Sequence, residues 1–456
     1  MTDPFFNGQE DEQSKTQARS LWDRFQSRTQ LGFLLFIVSG ITGSACAFFL
    51  WSLDNISSIF QTHSWLVYGL PLGGLFVGLL YHYFGASVEG GNNLILDEIH
   101  QPGGGIPKRM TPFVLFGTLI THLFGGSVGR EGTAVQMGGS IASAFARFFK
   151  LKDKNLRILL MSGIAAGFAG VFGTPLAGSI FAVEVLNIGK SNWKRLLPCL
   201  LAAYVGDWSC RLWNIHHTHY SVSSHMLPNL THINFILKVL IASMLFGLAS
   251  KLFSELAHEV QFHFKRLIPT PYLRPFLGGF LVIGLTCLAG TQDYLGLGVS
   301  NPNPHSPSIL TAFHEPLSIW AWALKLLFTV ICISSGFKGG EVTPLFFIGA
   351  ALGNALGWML NVPLDFFAAL GFIAVFAAAA NTPLACTIMG IELFGFENTP
   401  YFALSCFLAF LFSGHSGIYL SQKIAKPKLF TKYSAENLSL RSVQERKRRK
   451  DKPPHF

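Results

Sequence analysis

The chain has 456 residues, 50% of them hydrophobic and 13% charged, with a mean hydropathy of +0.41. That charged share is about half the share usual in soluble domains, so a soluble fold with polar helix faces is excluded. The formal charge of +10 therefore reads as basic flanks of membrane segments and not as a nucleic-acid surface.

Residues 1–30 are polar, and Gln17 to Thr29 is expected to form a surface helix carrying Arg19, Arg24 and Arg28. Charge-free runs follow along the whole chain: Thr29 to Leu53, Asn55 to Val88, Ile158 to Val183, Pro275 to Gln292, Val342 to Leu364, Phe366 to Ile391 and Asn398 to Gln422. Each is long enough to cross about 30 Å of hydrocarbon as a helix. The first run follows a polar segment and shows no cleavage pattern, so it is a span and not a signal peptide. Trp65 to Phe84 reads as a second span, broken by Pro71, Gly73 and Gly74.

Between apolar blocks lies the polar insert Gly85 to Pro107. It is either an ordinary loop or, through Gly90-Gly91 and then Asn92-Asn93, a helix start presented to an anion. After it comes Gly129 to Gly138, GREGTAVQMG, which puts Glu131 in a region otherwise free of charge apart from Arg130. An acid there is either paired structurally to Arg130 or lines an ion path and exchanges a proton. The basic stretch Arg147 to Arg157 belongs on the cytosolic side, and the glycine-rich run Ile158 to Val185 suits two helices meeting near Thr174-Pro175. Trp208 to His232 holds His216, His217, His219, His225 and His232. Without an acidic or cysteine ligand beside them, an interfacial loop with aromatic anchors is the better reading than a metal site. The seven cysteines form no CxxC, and no metal or other cofactor is called for.

A repeat appears in the second half. Gly339-Gly340-Glu341-Val342-Thr343 matches Gly129-Arg130-Glu131-Gly132-Thr133 as G-x-E-x-T, and the run from Thr382 to Glu392 echoes that from Thr174 to Glu184. The two copies are displaced by 210 and 208 positions, so the chain is two related halves, 31–232 and 233–425. A basic tail, 426–456, is expected in the cytosol and is too short for a regulatory domain. Duplicated polar marks inside apolar halves are typical of transporters with a site at the repeat interface. No HExxH or Ser-His-Asp cluster accompanies the acids, so an enzyme is not expected.

These motifs resemble the CLC family of anion channels and proton-coupled anion exchangers, over about residues 30–425. Gly129 to Gly132 is similar to the family's glutamate-bearing signature, and Thr174 to Gly178, TPLAG, to its proline turn. Three departures resemble the fluoride-exporting branch: GREGT for GREGP, Gly340-Glu341-Val342-Thr343-Pro344 for GxFxP, and Gly91-Asn92-Asn93-Leu94-Ile95 for the serine motif. Gly103 to Pro107 looks like that serine motif but lies too near Glu131 and is read as a decoy.

The resemblance implies an all-α polytopic homodimer with antiparallel halves and broken helices whose N-termini meet at mid-membrane. It implies Glu131 as external gate and proton-coupling residue, and Tyr419 as central hydroxyl. Glu341 is either a second proton-carrying gate or an acid favoured by a helix start. Asn92, Gly132, Thr133, Val342 and Thr343 are the expected anion ligands, and Asn93 either joins them or caps its own helix. Where proton-coupled chloride exchangers end the TPLAG helix in an acidic pair, this chain has Glu184-Val185. The expected function is fluoride/proton antiport across the cell inner membrane, with both termini cytosolic. Chloride/proton exchange and a passive chloride channel are the alternatives, with fluoride or chloride and protons as partners, in a lipid bilayer, and no nucleic acid.

Overall fold

The computed structural model describes residues 6–222, 232–428 and 438–450, with side chains from residue 29 onward except those of 447, 449 and 450. His225 and Pro228 of the aromatic loop, and the side chains of Arg19, Arg24 and Arg28, lie outside the described residues. The first half holds α1 (Phe6–Thr62), α2 (Leu70–Phe84), α3 (Asn92–His100), α4 (Met110–Leu123), α5 (Glu131–Phe148), α6 (Asp153–Phe172), α7 (Pro175–Glu184) and α8 (Leu196–Arg211). The second holds α9 (Ile233–Leu267), α10 (Leu273–Ala289), α11 (Ile309–Ala312), α12 (Ala321–Ser335), α13 (Val342–Met359), α14 (Leu364–Ala380), α15 (Pro383–Phe394) and α16 (Thr399–Phe412). A tail helix, α17 (Leu440–Lys450), follows. Two short strands, β1 (Asn187–Ile188) and β2 (Lys423–Ile424), pair in parallel.

Among the described residues, five stretches are long and apolar enough to cross a membrane: Thr29–Thr62, Ser64–Phe84, Asp153–Phe172, Ile233–Leu267 and Val342–Met359. The remaining apolar helices are short, as a fold of broken helices requires. Two expectations need correction. The helix over Gln17 to Thr29 is not separate, because α1 runs unbroken from Phe6 to Thr62. The break in the second span lies before Pro71, where a 3₁₀ turn over Ser64–Gly69 hands over to α2. Pro71 sits in the first turn of that helix, where its missing N–H costs nothing.

The joint near Thr174-Pro175 is as expected, with a physical cause at each side. Gly173 ends α6 at φ 69°, and Pro175 opens α7. The second half repeats the device with Asn381 at φ 57° and Pro383. Glutamates then lock the halves reciprocally. Glu184, ending α7, accepts from the Leu384 and Ala385 N–H groups that open α15, at 3.1 and 2.8 Å. Glu392 on α15 accepts from those of Leu176 and Ala177 on α7, at 2.9 and 2.8 Å. Each carboxylate satisfies orphan donors of the other half's helix and meets its positive end.

Glycine sets the helix spacing in both halves. A Cβ on Gly138 of α5 would stand 2.1 Å from the Gly163 carbonyl oxygen of α6, and one on Gly349 of α13 the same distance from Gly371 of α14. Backbone cannot yield as a side chain can. Gly349→Ala is therefore expected to destabilise the protein by about 1–3 kcal/mol, read as a lower unfolding temperature in detergent by tryptophan fluorescence. An unchanged midpoint would show the α13–α14 contact to be loose.

Candidate functional site

The two copies of the G-x-E-x-T motif meet in space. Gly129 and Gly340 form an antiparallel bridge in which each N–H donates to the other's carbonyl at 2.6 Å. A Cβ on Gly340 would lie 2.7 Å from the Gly132 nitrogen, so only glycine permits this approach. The bridge brings the starts of α5 and α13 together.

Glu131 spans that junction. Its side chain is 2% exposed, and its carboxylate reaches the first turn of α13. The Thr343 N–H donates to Oε2 at 3.0 Å, and the Thr343 hydroxyl donates to the carboxylate with Oγ1 2.6 Å from each oxygen. The Arg130 N–H donates to Oε2 at 3.2 Å, whereas the Arg130 Nε stands 3.6 Å from Oε1. Both readings of Glu131 thus find a partner, but the short bonds go to Thr343. The carboxylate occupies the place where a helix N-terminus would hold a free anion.

Around this junction lies a cavity of about 570 Å³, walled by Asn92, Asn93, Thr118, Thr133, Glu341 and Tyr419, with Lys265, Arg274 and Lys338 also on its lining. Asn92 opens α3 after Gly91, and its Oδ1 is buried with no hydrogen-bond partner among the described residues. A Cβ on Gly132 would come within 3.2 Å of its Nδ2, so Gly132 makes room for that amide. Asn93 does not cap its own helix, because its Oδ1 accepts from the Ser421 N–H at 3.0 Å. That bond ties α3 to the segment carrying Tyr419. Thr133 shares its hydroxyl with Thr118 at 2.8 Å, which leaves its backbone N–H as the group it could offer an anion. Glu341 caps α13, and among the described residues nothing hydrogen-bonds its carboxylate. Tyr419 is buried, its ring edge-on to Phe181. Val342 is the first residue of α13 and adjoins Thr343.

A second cavity, about 270 Å³, is lined by Asp54, His122, Arg130, His216, His217 and Asp293. The two lie at opposite ends of α10: Arg274 and Pro275 at its start line the first, while Gln292 to Gly298, beyond its end, line the second. Glu131 and its bridge stand between them, with Arg130 on one side and Glu341 on the other.

Sequence reasoning left several residues unassigned. Gly103 to Pro107 does not line either cavity, and its Gly103 and Gly105 N–H groups hold the buried Glu98 carboxylate at 3.1 and 2.8 Å. The Val185 carbonyl, at the place of the missing second acid, accepts from the buried Gln422 Nε2 at 2.8 Å. Gln422 also donates to Ala380 and accepts from Asn381, closing that position with a neutral amide. Thr118 and His122 carried no motif signal, since they are uncharged polar residues on an apolar helix, α4, that matches no motif.

Residues 73–414 match the family described as voltage gated chloride channel. The chain is 47% identical over 398 residues to a protein of Pseudomonas syringae pv. tomato named chloride/fluoride channel protein, covering 86% of each. A solved structure of a CLC-type fluoride/proton antiporter matches at 37% identity and a TM-score of 0.82, over 87% of this chain and 98% of that one. A slow cyanobacterial Cl⁻/H⁺ antiporter matches at 24% identity and a TM-score of 0.67, over 84% of this chain and 93% of that one, and shows the shared fold alone. A duplicated helical membrane protein whose halves meet antiparallel at G-x-E-x-T, and which matches in sequence over three quarters of its length, belongs to the CLC family.

Proposed function

We propose that this protein is a fluoride/proton antiporter that exports fluoride. The observation that carries the reading is the Glu131 carboxylate seated on the start of α13 by the Thr343 N–H and hydroxyl. A group there competes with an anion when ionised and gives up the place when protonated, so one site links opposed movements of anion and proton. The printed names of the relatives at 47% and 37% identity, a chloride/fluoride channel protein and a CLC-type fluoride/proton antiporter, both include fluoride and support it as the anion. Fluoride is small and strongly hydrated, so it needs short, strong donors to offset desolvation. Asn92, Asn93, Thr343 and Tyr419 supply neutral donors of that kind, and Glu341 is the proton-carrying group on the first cavity.

Lys265, Arg274 and Lys338 on the first cavity support a reading in which it faces the cytosol, as the positive-inside rule favours, in the cell inner membrane. The termini are cytosolic in this reading, and the working unit is a homodimer with one path per subunit. Hydrogen fluoride crosses a bilayer neutral and dissociates in a more alkaline cytosol, which traps fluoride inside. One-for-one exchange sends a negative charge out and a positive charge in, so the potential contributes about 2.3 kcal/mol per charge per 100 mV.

Purified protein in liposomes loaded with fluoride, at clamped potential, is expected to take up protons as fluoride leaves, with little chloride efflux. Equal chloride turnover would make it a chloride/proton exchanger. Fluoride flux without proton movement would make it a passive channel.

A further inference from the structure

The second cavity holds three histidines, and they differ in what their ring nitrogens can do. His122 has both nitrogens against backbone carbonyls, Nδ1 at 2.8 Å from Thr118 and Nε2 at 3.2 Å from Val128. His216 is exposed to solvent. His217 is held on one side by the Val171 carbonyl, and its ring packs on Gly173, where a Cβ would come within 2.5 Å. Its Nε2 is buried without a hydrogen-bond partner among the described residues and lies 3.9 Å from Asp207 Oδ1, which is also unpartnered. The other Asp207 oxygen is fixed by Arg211 Nε at 2.9 Å. Asp207 lies behind His217 and not on the cavity lining; of the acids that do line it, Asp293 is bonded by Thr291 and Asn301, and Asp54 is exposed.

Glu131 itself does not line this cavity; Arg130 does, and its Nε, 3.6 Å from Glu131 Oε1, is a further buried nitrogen without a hydrogen-bond partner among the described residues. A polar chamber of about 270 Å³ has room for several waters at about 30 Å³ each. Such waters would reach His217 and Arg130 together, with Asp207 behind the imidazole.

We propose that His217, backed by Asp207, is a proton-relay residue between the water of the second cavity and Glu131. The step balances without a co-reactant. Nε2 takes a proton from hydronium, the imidazolium rests against the Asp207 carboxylate, and the same proton leaves through cavity water to the Glu131 carboxylate. Burial, then the guanidiniums of Arg130 and Arg211, lower the His217 pKa to about 4, with the Val171 carbonyl opposing and His219 adding to the fall. The relay hands protons on and does not store them.

This inference rests on coupled exchange. In liposomes, His217→Ala is expected to slow fluoride-driven proton uptake at neutral pH by about 100-fold, the lower range for losing a positioned acid–base group. The fluoride-to-proton ratio should stay as in the wild type, because Glu131 still couples. Added imidazole should restore the rate, and the deficit should shrink toward pH 5, where hydronium can reach Glu131 unaided. His217→Gln, which keeps bulk against Gly173, should show the same deficit if the alanine variant fails to fold. A wild-type rate across pH in either variant overturns the relay and leaves the antiporter reading intact, as does an equal loss at every pH without rescue. A wild type that moves no protons overturns both.

Discussion

Replacing Glu131 by glutamine is expected to reduce fluoride-linked proton movement in liposomes to the background leak. Glutamine has nearly the same shape, so the α5–α13 junction and its Gly129–Gly340 bridge should persist. It has, however, no proton to exchange. It also makes a poorer occupant of the α13 start, where the two carboxylate oxygens now accept from Thr343 and from the Arg130 N–H. Hydrogen bonds to an ionised acceptor are about twice as strong as neutral ones, and an amide NH₂ turned toward the Thr343 N–H has nothing to accept with. The gate should therefore be held less firmly as well as uncoupled. Fluoride flux is expected either to continue passively or to stop, depending on whether the amide swings clear, and both outcomes remove coupling. A variant with wild-type proton-to-fluoride stoichiometry would exclude Glu131 as the coupling group and leave it the structural partner of Arg130.

The parts of this site that were legible in the sequence are those that leave a mark at fixed spacing. The duplication was visible because Glu131 and Glu341, and again Glu184 and Glu392, recur at nearly the same displacement. What those residues do to one another was not visible, since each contact joins positions some 200 residues apart through backbone N–H groups that carry no residue identity. Glu184 and Glu392 read as echoes in the chain, and only the packed α7 and α15 reveal them as each other's caps. Neighbouring asparagines could not be separated either. At a helix start, successive side chains point about 100° apart, so Asn93 reaches the Ser421 N–H while the Asn92 carbonyl stays unpartnered. Local propensity also misplaced the breaks: Pro71 looked like a helix breaker but opens α2. His217 read only as one of five histidines in an interfacial loop, because its partners, Asp207 and the end of α6, come together only through the fold.

Thr343→Val should produce the second large effect, and in selectivity more than in coupling. Valine keeps the shape and the backbone N–H, which stays 3.0 Å from Glu131 Oε2, and removes only the hydroxyl at 2.6 Å. A hydrogen bond to a charged group contributes about 1.5–3 kcal/mol, or roughly 10- to 150-fold in affinity. In the proposed reading the carboxylate and fluoride compete for the same donors, so the loss falls on both, but not equally. The carboxylate spreads its charge over two oxygens and keeps the Arg130 N–H at 3.2 Å. Fluoride carries its charge on one small atom and depends on the shortest donors to replace water. Chloride, larger and less hydrated, depends on them less. The expected result is a KM for fluoride raised about tenfold or more, chloride flux nearly unchanged, and discrimination reduced accordingly. Thr343→Ser, which restores a hydroxyl, should recover most of it. Fluoride KM and selectivity at wild-type levels in the valine variant would show that the Thr343 hydroxyl serves only to hold Glu131, and that fluoride is selected elsewhere along the cavity.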